Sequence, residues 1–141
     1  MSDSFNRFLI AQQDDYFTAL KEIKLGKKKS HWMWYIFPQI AGLGLSETSK
    51  FYAIKNLDEA KEYVNHPILG KRLKEITNEL LKLKEENANK IFGSPDDMKL
   101  QSCMTLFSIA DNHPDNVFEE VLNKFYNGKP DNRTVKFLEK E

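Results

Sequence analysis

With a single cysteine, Cys103, the chain cannot form an internal disulfide. No grouping of cysteine and histidine has the spacing of a zinc site, so neither a metal nor another cofactor is implied. An excess of either charge is also lacking, because 21 lysines and arginines face 21 aspartates and glutamates. Such a chain has no global field to draw it onto a polyanion or a membrane, so bulk nucleic-acid binding is not expected and anion recognition must be local. No apolar run approaches the roughly 18 residues of a membrane-spanning helix. The opening stretch, MSDSFNRFLIAQQDDYF, breaks its apolar residues with charges every few positions, and the expected compartment is the cytoplasm. Alternating strand patterns, internal repeats and low-complexity tracts are absent too, which leaves an all-α reading.

What the chain does have is aromatic side chains: two Trp, five Tyr and ten Phe within 141 residues, of which 40% are apolar. That is enough to bury one core and too hydrophobic for general disorder. The expectation is a compact single domain over residues 1–141, a bundle of about six to eight helices, several of them short, with an aromatic-rich connecting segment over 30–46.

The first helix is expected from about Ser4 to Leu25, with Phe5, Phe8, Leu9, Gln12, Tyr16, Ala19, Leu20 and Ile23 on one face and Gly26 as its stop. His31 to Phe37 reads as a short helical turn closed by Pro38. Ser46 can cap a short helix to Ile54, and Asn56-Leu57-Asp58-Glu59 has capping-box spacing for a helix to Val64. Pro67 suits the first turn of a longer helix to about Glu85, entered through His66. Ser94-Pro95-Asp96-Asp97 reads as the start of a central helix over 95–111, with serine as cap and acids at the positive dipole end. Two short helices, near Asp115–Tyr126 and Asp131–Lys140, are each expected to open on an aspartate cap.

The segment from Gly26 to Ser46, GKKKSHWMWYIFPQIAGLGLS, crowds burial and polar chemistry into little space. Lys28, Lys29, His31, Arg72 and Lys99 come from three separate stretches and would bind a phosphate or carboxylate if the central helix packed beside this segment. Free helix starts at Ser94 or Ser46 would add N–H donors. Trp32, Trp34 or Tyr35 would then stack on a base, so a nucleotide-like ligand fits best. The candidate binding set is Lys28, His31, Trp32, Trp34, Gln39, Ser46, Arg72, Lys99, Ser102 and Thr105, with the Gly42-Leu43-Gly44 turn as a rim. Lys99, Ser102 and Thr105 are grouped because their three-residue spacing places them along one stripe of a helix.

His31 and Asp97 are the candidate acid–base groups if a bond is hydrolysed, His31 because imidazole titrates near neutrality. Each also has a structural reading: His31 as a cap or backbone partner, and Asp97 as part of the acidic first turn of its helix. The non-enzymatic alternative is an adaptor whose aromatic segment docks a protein partner.

The ordered series HWMWYIFPQ at 31–39, GLGLS at 42–46, HPILGKRL at 66–73, IFGSPDDMKLQS at 91–102 and MTLF at 104–107 resembles a small bacterial family of unknown function. Its members are often labelled calpastatin, although the eukaryotic inhibitor of that name is a long disordered chain and this one carries the aromatic content of a folded domain. The resemblance implies a compact helical fold like that of a mycobacterial member, and no established activity.

Overall fold

A computed structural model of the chain describes residues 5–140. Among these residues nine helices follow one another, joined by short turns. The first, α1 (Asn6–Lys24), buries Phe8, Gln12, Tyr16, Ala19, Leu20 and Ile23 along the expected stripe, while the expected start at Ser4 lies outside the described residues. Gly26 ends it with φ +79°, its N–H donating to the Ile23 carbonyl.

The aromatic segment contributes one turn, α2 (Met33–Ile36), and Ser46 caps α3 (Glu47–Phe51) by accepting from the Ser49 N–H at 3.1 Å. A parallel bridge between Ile40 and Ile54 then ties the exit of the aromatic segment to the exit of α3. In α4 (Leu57–Val64), Asn56 caps the Glu59 N–H at 2.9 Å, while Glu59 reaches back to the N–H of Lys55 rather than that of Asn56, a capping box displaced by one residue.

The next helix, α5 (Leu69–Lys82), is shorter at both ends than Pro67–Glu85. His66 Nδ1 accepts from the N–H groups of Ile68 and Leu69, both at 3.1 Å, and starts the helix beyond the proline. Its far end is closed by Lys124, whose ammonium donates to the carbonyls of Leu80, Leu81 and Leu83. A Cβ on Gly70 would lie 2.1 Å from the Val64 carbonyl oxygen, so glycine here permits the close turn from α4 into α5.

The periodicity gave no sign of α6 (Ala88–Phe92), which buries Ala88, Ile91 and Phe92. The central helix, α7 (Asp96–Ala110), packs against α4, α6, α8 and α9 and is buried at most positions from Leu100 to Phe107. Ser94 does not cap it. The N–H of Asp97 goes to the Gly93 carbonyl, and that of Met98 to the Pro95 carbonyl and the Asp97 carboxylate. Asn116, not Asp115, caps α8 (Val117–Tyr126), whereas Asp131 caps α9 (Asn132–Glu139) as expected.

Rings dominate the core. Tyr63 meets Phe5, Phe8 and Phe107 at centroid distances of 5.6, 5.1 and 5.4 Å, and Phe107 continues to Phe118 at 5.8 Å. This packing holds α1, α4, α7 and α8 together.

Candidate functional site

The run from Lys28 to Tyr35 is shaped first by a carboxylate from outside it. Glu22, in the last turns of α1, is buried and accepts from the Lys29 N–H (2.7 Å), the Ser30 N–H (3.0 Å), the Ser30 hydroxyl (2.6 Å) and the Trp32 indole N–H (2.9 Å). Burial by itself would raise this carboxyl, but the donors from Ser30, Lys29 and Trp32 outweigh it and hold the group at about 2. A saturated buried anion of this kind fixes the loop's path. Trp32 consequently points inward, 1% exposed, against Phe37 and Phe92.

Trp34 points the other way. It is half-buried and lines a cleft of about 360 Å³ between the Gln39–Gly44 turn, α3, the start of α7 and the start of α9. Lys99 Nζ lies 3.7 Å from the Trp34 ring centroid, well inside the range of a cation–π contact. The same ammonium is 3.2 Å from Asp96, whose other oxygen is 2.9 Å from Lys28, so one carboxylate bridges two lysines. Lys28 in turn lies 5.0 Å from the Trp32 ring.

Two further cations line the cleft, Lys50 from α3 and Arg133 from α9. Arg133 donates to the Leu43 carbonyl at 3.1 Å, which holds the Gly42–Gly44 turn against α9. The acid among the lining residues, Asp131, is already committed to the N–H (3.0 Å) and hydroxyl (2.6 Å) of Thr134. Thr105 reaches the site indirectly: it is buried, accepts the Asp131 N–H at 2.8 Å and thereby docks the start of α9. Ser102 lines the cleft wall and bonds to the Met98 carbonyl at 3.2 Å.

Of the candidates read from the sequence, the structure brings together Trp34, Gln39, Lys99 and Ser102 on the cleft, with Thr105 behind it. Trp32 and Lys28 lie inside the loop anchored on Glu22. Ser46 is used as the cap of α3, and its helix start offers no open N–H at Ser49 or Lys50. Arg72 does not line the cleft; it lies 3.4 Å from Gln12 and 5.0 Å from the Tyr16 ring, in a network that joins α1 to α5. Asp97 accepts from the Asn89 amide at 3.3 Å through its carboxylate and from the Tyr126 hydroxyl through its carbonyl, away from the cleft. His31 is exposed and lines a shallow depression with Trp34, Tyr35, Glu47, Thr48, Phe51 and Tyr52.

Glu22, Lys50, Asp131 and Arg133 were not singled out as site residues by the sequence. Glu22 on a long helix and Lys50 on a short one look like any solvated charge, and Arg133 reaches Leu43 only because the chain folds back over ninety positions. A cap at Asp131 was legible, but not what the cap delivers to the site.

Among the described residues no three His, Cys, Asp or Glu side chains converge to hold a metal, and no helix is long and apolar enough to cross a membrane. The family model described as "Protein of unknown function (DUF1810)" matches residues 2–138. A solved structure, the conserved hypothetical protein Rv1873 from Mycobacterium tuberculosis, is similar at 42% identity with a TM-score of 0.92, covering 95% of each chain. No curated protein matches the chain.

Proposed function

From a chain that belongs to the DUF1810 family of proteins of unknown function, we propose a binding protein for a small anionic, nucleotide-like ligand, held in the cleft between Trp34 and α7. The observation that carries this reading is the charge of the lining: Lys50, Lys99 and Arg133 surround one concavity with a single acid, Asp131, among its lining residues, which leaves the lining net positive. An arginine fork and two point charges from three different helices suit the oxygens of a phosphate or carboxylate. A cleft of about 360 Å³ is at the small end of ligand sites, which suits a small molecule better than a polymer. Binding is the whole of the proposal, because neither acid–base candidate lines this cleft: His31 faces the neighbouring depression and Asp97 is bonded to Asn89 and Tyr126.

The second reading is a docking surface for a protein partner. It draws on the exposure of Met98 (63%) at the cleft and Phe51 (58%) beside it. A thermal-shift screen against nucleotides, sugar phosphates and small carboxylates, repeated on Lys99→Met, separates the two. Ligand at 100 times its dissociation constant adds about 2.7 kcal/mol, a rise of several degrees for a domain of this size. A stabilising anion lost in the variant supports the anion site. A blank screen on folded protein overturns it and favours the partner reading, in which capture survives Lys99→Met and is lost with Phe51→Ala.

A further inference from the structure

We infer that the shallow depression beside the cleft is a second lobe of the same site, made for a flat ring, and that the ligand class is therefore a nucleoside monophosphate bound with its phosphate in the cleft and its base across Trp34. The inference rests on the cleft being an anion site and adds where the rest of the ligand goes.

Three observations converge on it. The first is segregation of charge by α3, whose successive residues divide between the lobes: Ser49 and Lys50 line the cleft, whereas Glu47, Thr48 and Phe51 line the depression. Apart from His31 no basic side chain lines the depression, and its carboxylate, Glu47, disfavours a phosphate placed there. A ligand with an anionic end is therefore better placed with that end in the cleft, beside Lys50, Lys99 and Arg133.

The second is aromatic content. Trp34, Tyr35, Phe51 and Tyr52 all line the depression, with Tyr35 and Phe51 packed on Tyr52 at centroid distances of 5.1 and 4.8 Å. Phe51 is 58% exposed, a large ring left in water at the edge of a concavity with the packing of the core behind it. Tyr35 is held in place by donating to the Asp15 carboxylate, so this wall is set before any ligand arrives.

The third is continuity. Trp34 and Tyr52 line both lobes, so the lobes meet across these two rings. On the cleft side Lys99 lies over the Trp34 ring at 3.7 Å, in the place where a base would stack, which leaves the depression as the aromatic surface open to one. A phosphate beside Lys99 joined through a sugar-sized spacer to a base beside Phe51 follows that path.

The test is calorimetric titration with adenosine 5′-monophosphate and with ribose 5-phosphate, which share the phosphate and differ in the base, on wild type, Phe51→Ala and Lys99→Met. The exposure of Phe51 makes its truncation compatible with folding, checked by an unchanged melting curve. Expected are binding of both probes, about 10-fold tighter for the nucleotide, loss of that advantage in Phe51→Ala with ribose 5-phosphate unaffected, and a parallel weakening of both in Lys99→Met. Equal affinities in wild type, or an advantage that survives Phe51→Ala, with ribose 5-phosphate still sensitive to Lys99, would overturn the second lobe and leave the anion cleft standing. Failure of both probes to bind removes the cleft reading and this inference with it.

Discussion

Trp32 and Trp34 are two positions apart, each lies under a lysine, and the two lysines share Asp96, yet one ring is packed inside and the other lines the cleft. Around Trp32 the indole N–H, two backbone N–H groups and a hydroxyl all end on Glu22. Around Trp34 the cover is incomplete. Its ring separates a cationic cleft from an aromatic depression, and three basic side chains reach the cleft with one committed acid among them. Residue type does not tell which tryptophan is packed inside and which lines the cleft; the surrounding hydrogen bonding does.

Substitutions that treat the two regions alike should give opposite results. Trp32→Ala empties a fully packed position and should cost about 3–5 kcal/mol, lowering the melting temperature by more than about 10 °C. Next in size, Glu22→Gln should cost about 3 kcal/mol, because an amide cannot accept from all the donors that converge there. Its pH dependence has a definite sign. The Glu22 carboxyl is lowered from 4.5 to about 2 in the folded chain, so its contribution is fully present above pH 4.5 and is lost as the pH falls through 2. The gap in melting temperature between wild type and Glu22→Gln should therefore be constant at neutral pH and narrow on acidification. A gap that stays constant down to pH 2 would mean that the carboxylate is not the anchor.

On the open side the effects on stability should be smaller. Gly42 has φ +102°, and a Cβ there would sit 2.9 Å from the Phe137 ring, so Gly42→Ala should cost about 1–2 kcal/mol and distort the cleft rim, seen as weaker ligand binding in a folded protein. Trp34→Ala and Lys99→Met should each change stability by about 1 kcal/mol or less while weakening an anionic ligand about 10-fold or more. Unfolding of Trp34→Ala as severe as that of Trp32→Ala would erase the contrast between the two rings. Raising salt should weaken the ligand in wild type more than in Lys99→Met, because one of the charges being screened is gone.

Much of this architecture was legible in the chain. Gly26 stops α1, Ser46, Asn56 and Asp131 cap their helices, and the HWMW segment makes one short turn, because these features depend on neighbours within a few residues. The five residues of α6 were not, since a helix that short shows little periodicity and its burial of Ile91 and Phe92 is set by tertiary contacts. The site divides the same way. Lys99 and Ser102 were readable from their spacing on α7, but the choice between Trp32 and Trp34 is made by Glu22 from the preceding helix. Arg133 is delivered by the hydrogen bond from the Asp131 N–H to Thr105, which joins the third member of that α7 stripe to the far end of the chain.

Asp96 gives the two regions a common counter-ion, and this bears on how the site responds to occupation. A lysine paired with a single buried acid can turn to a ligand only by leaving that acid uncompensated. Here Asp96 has a second cation, Lys28, 2.9 Å from its other oxygen. In the proposed site Lys99 would be a cation on loan, turning from carboxylate to ligand with Lys28 left to compensate Asp96.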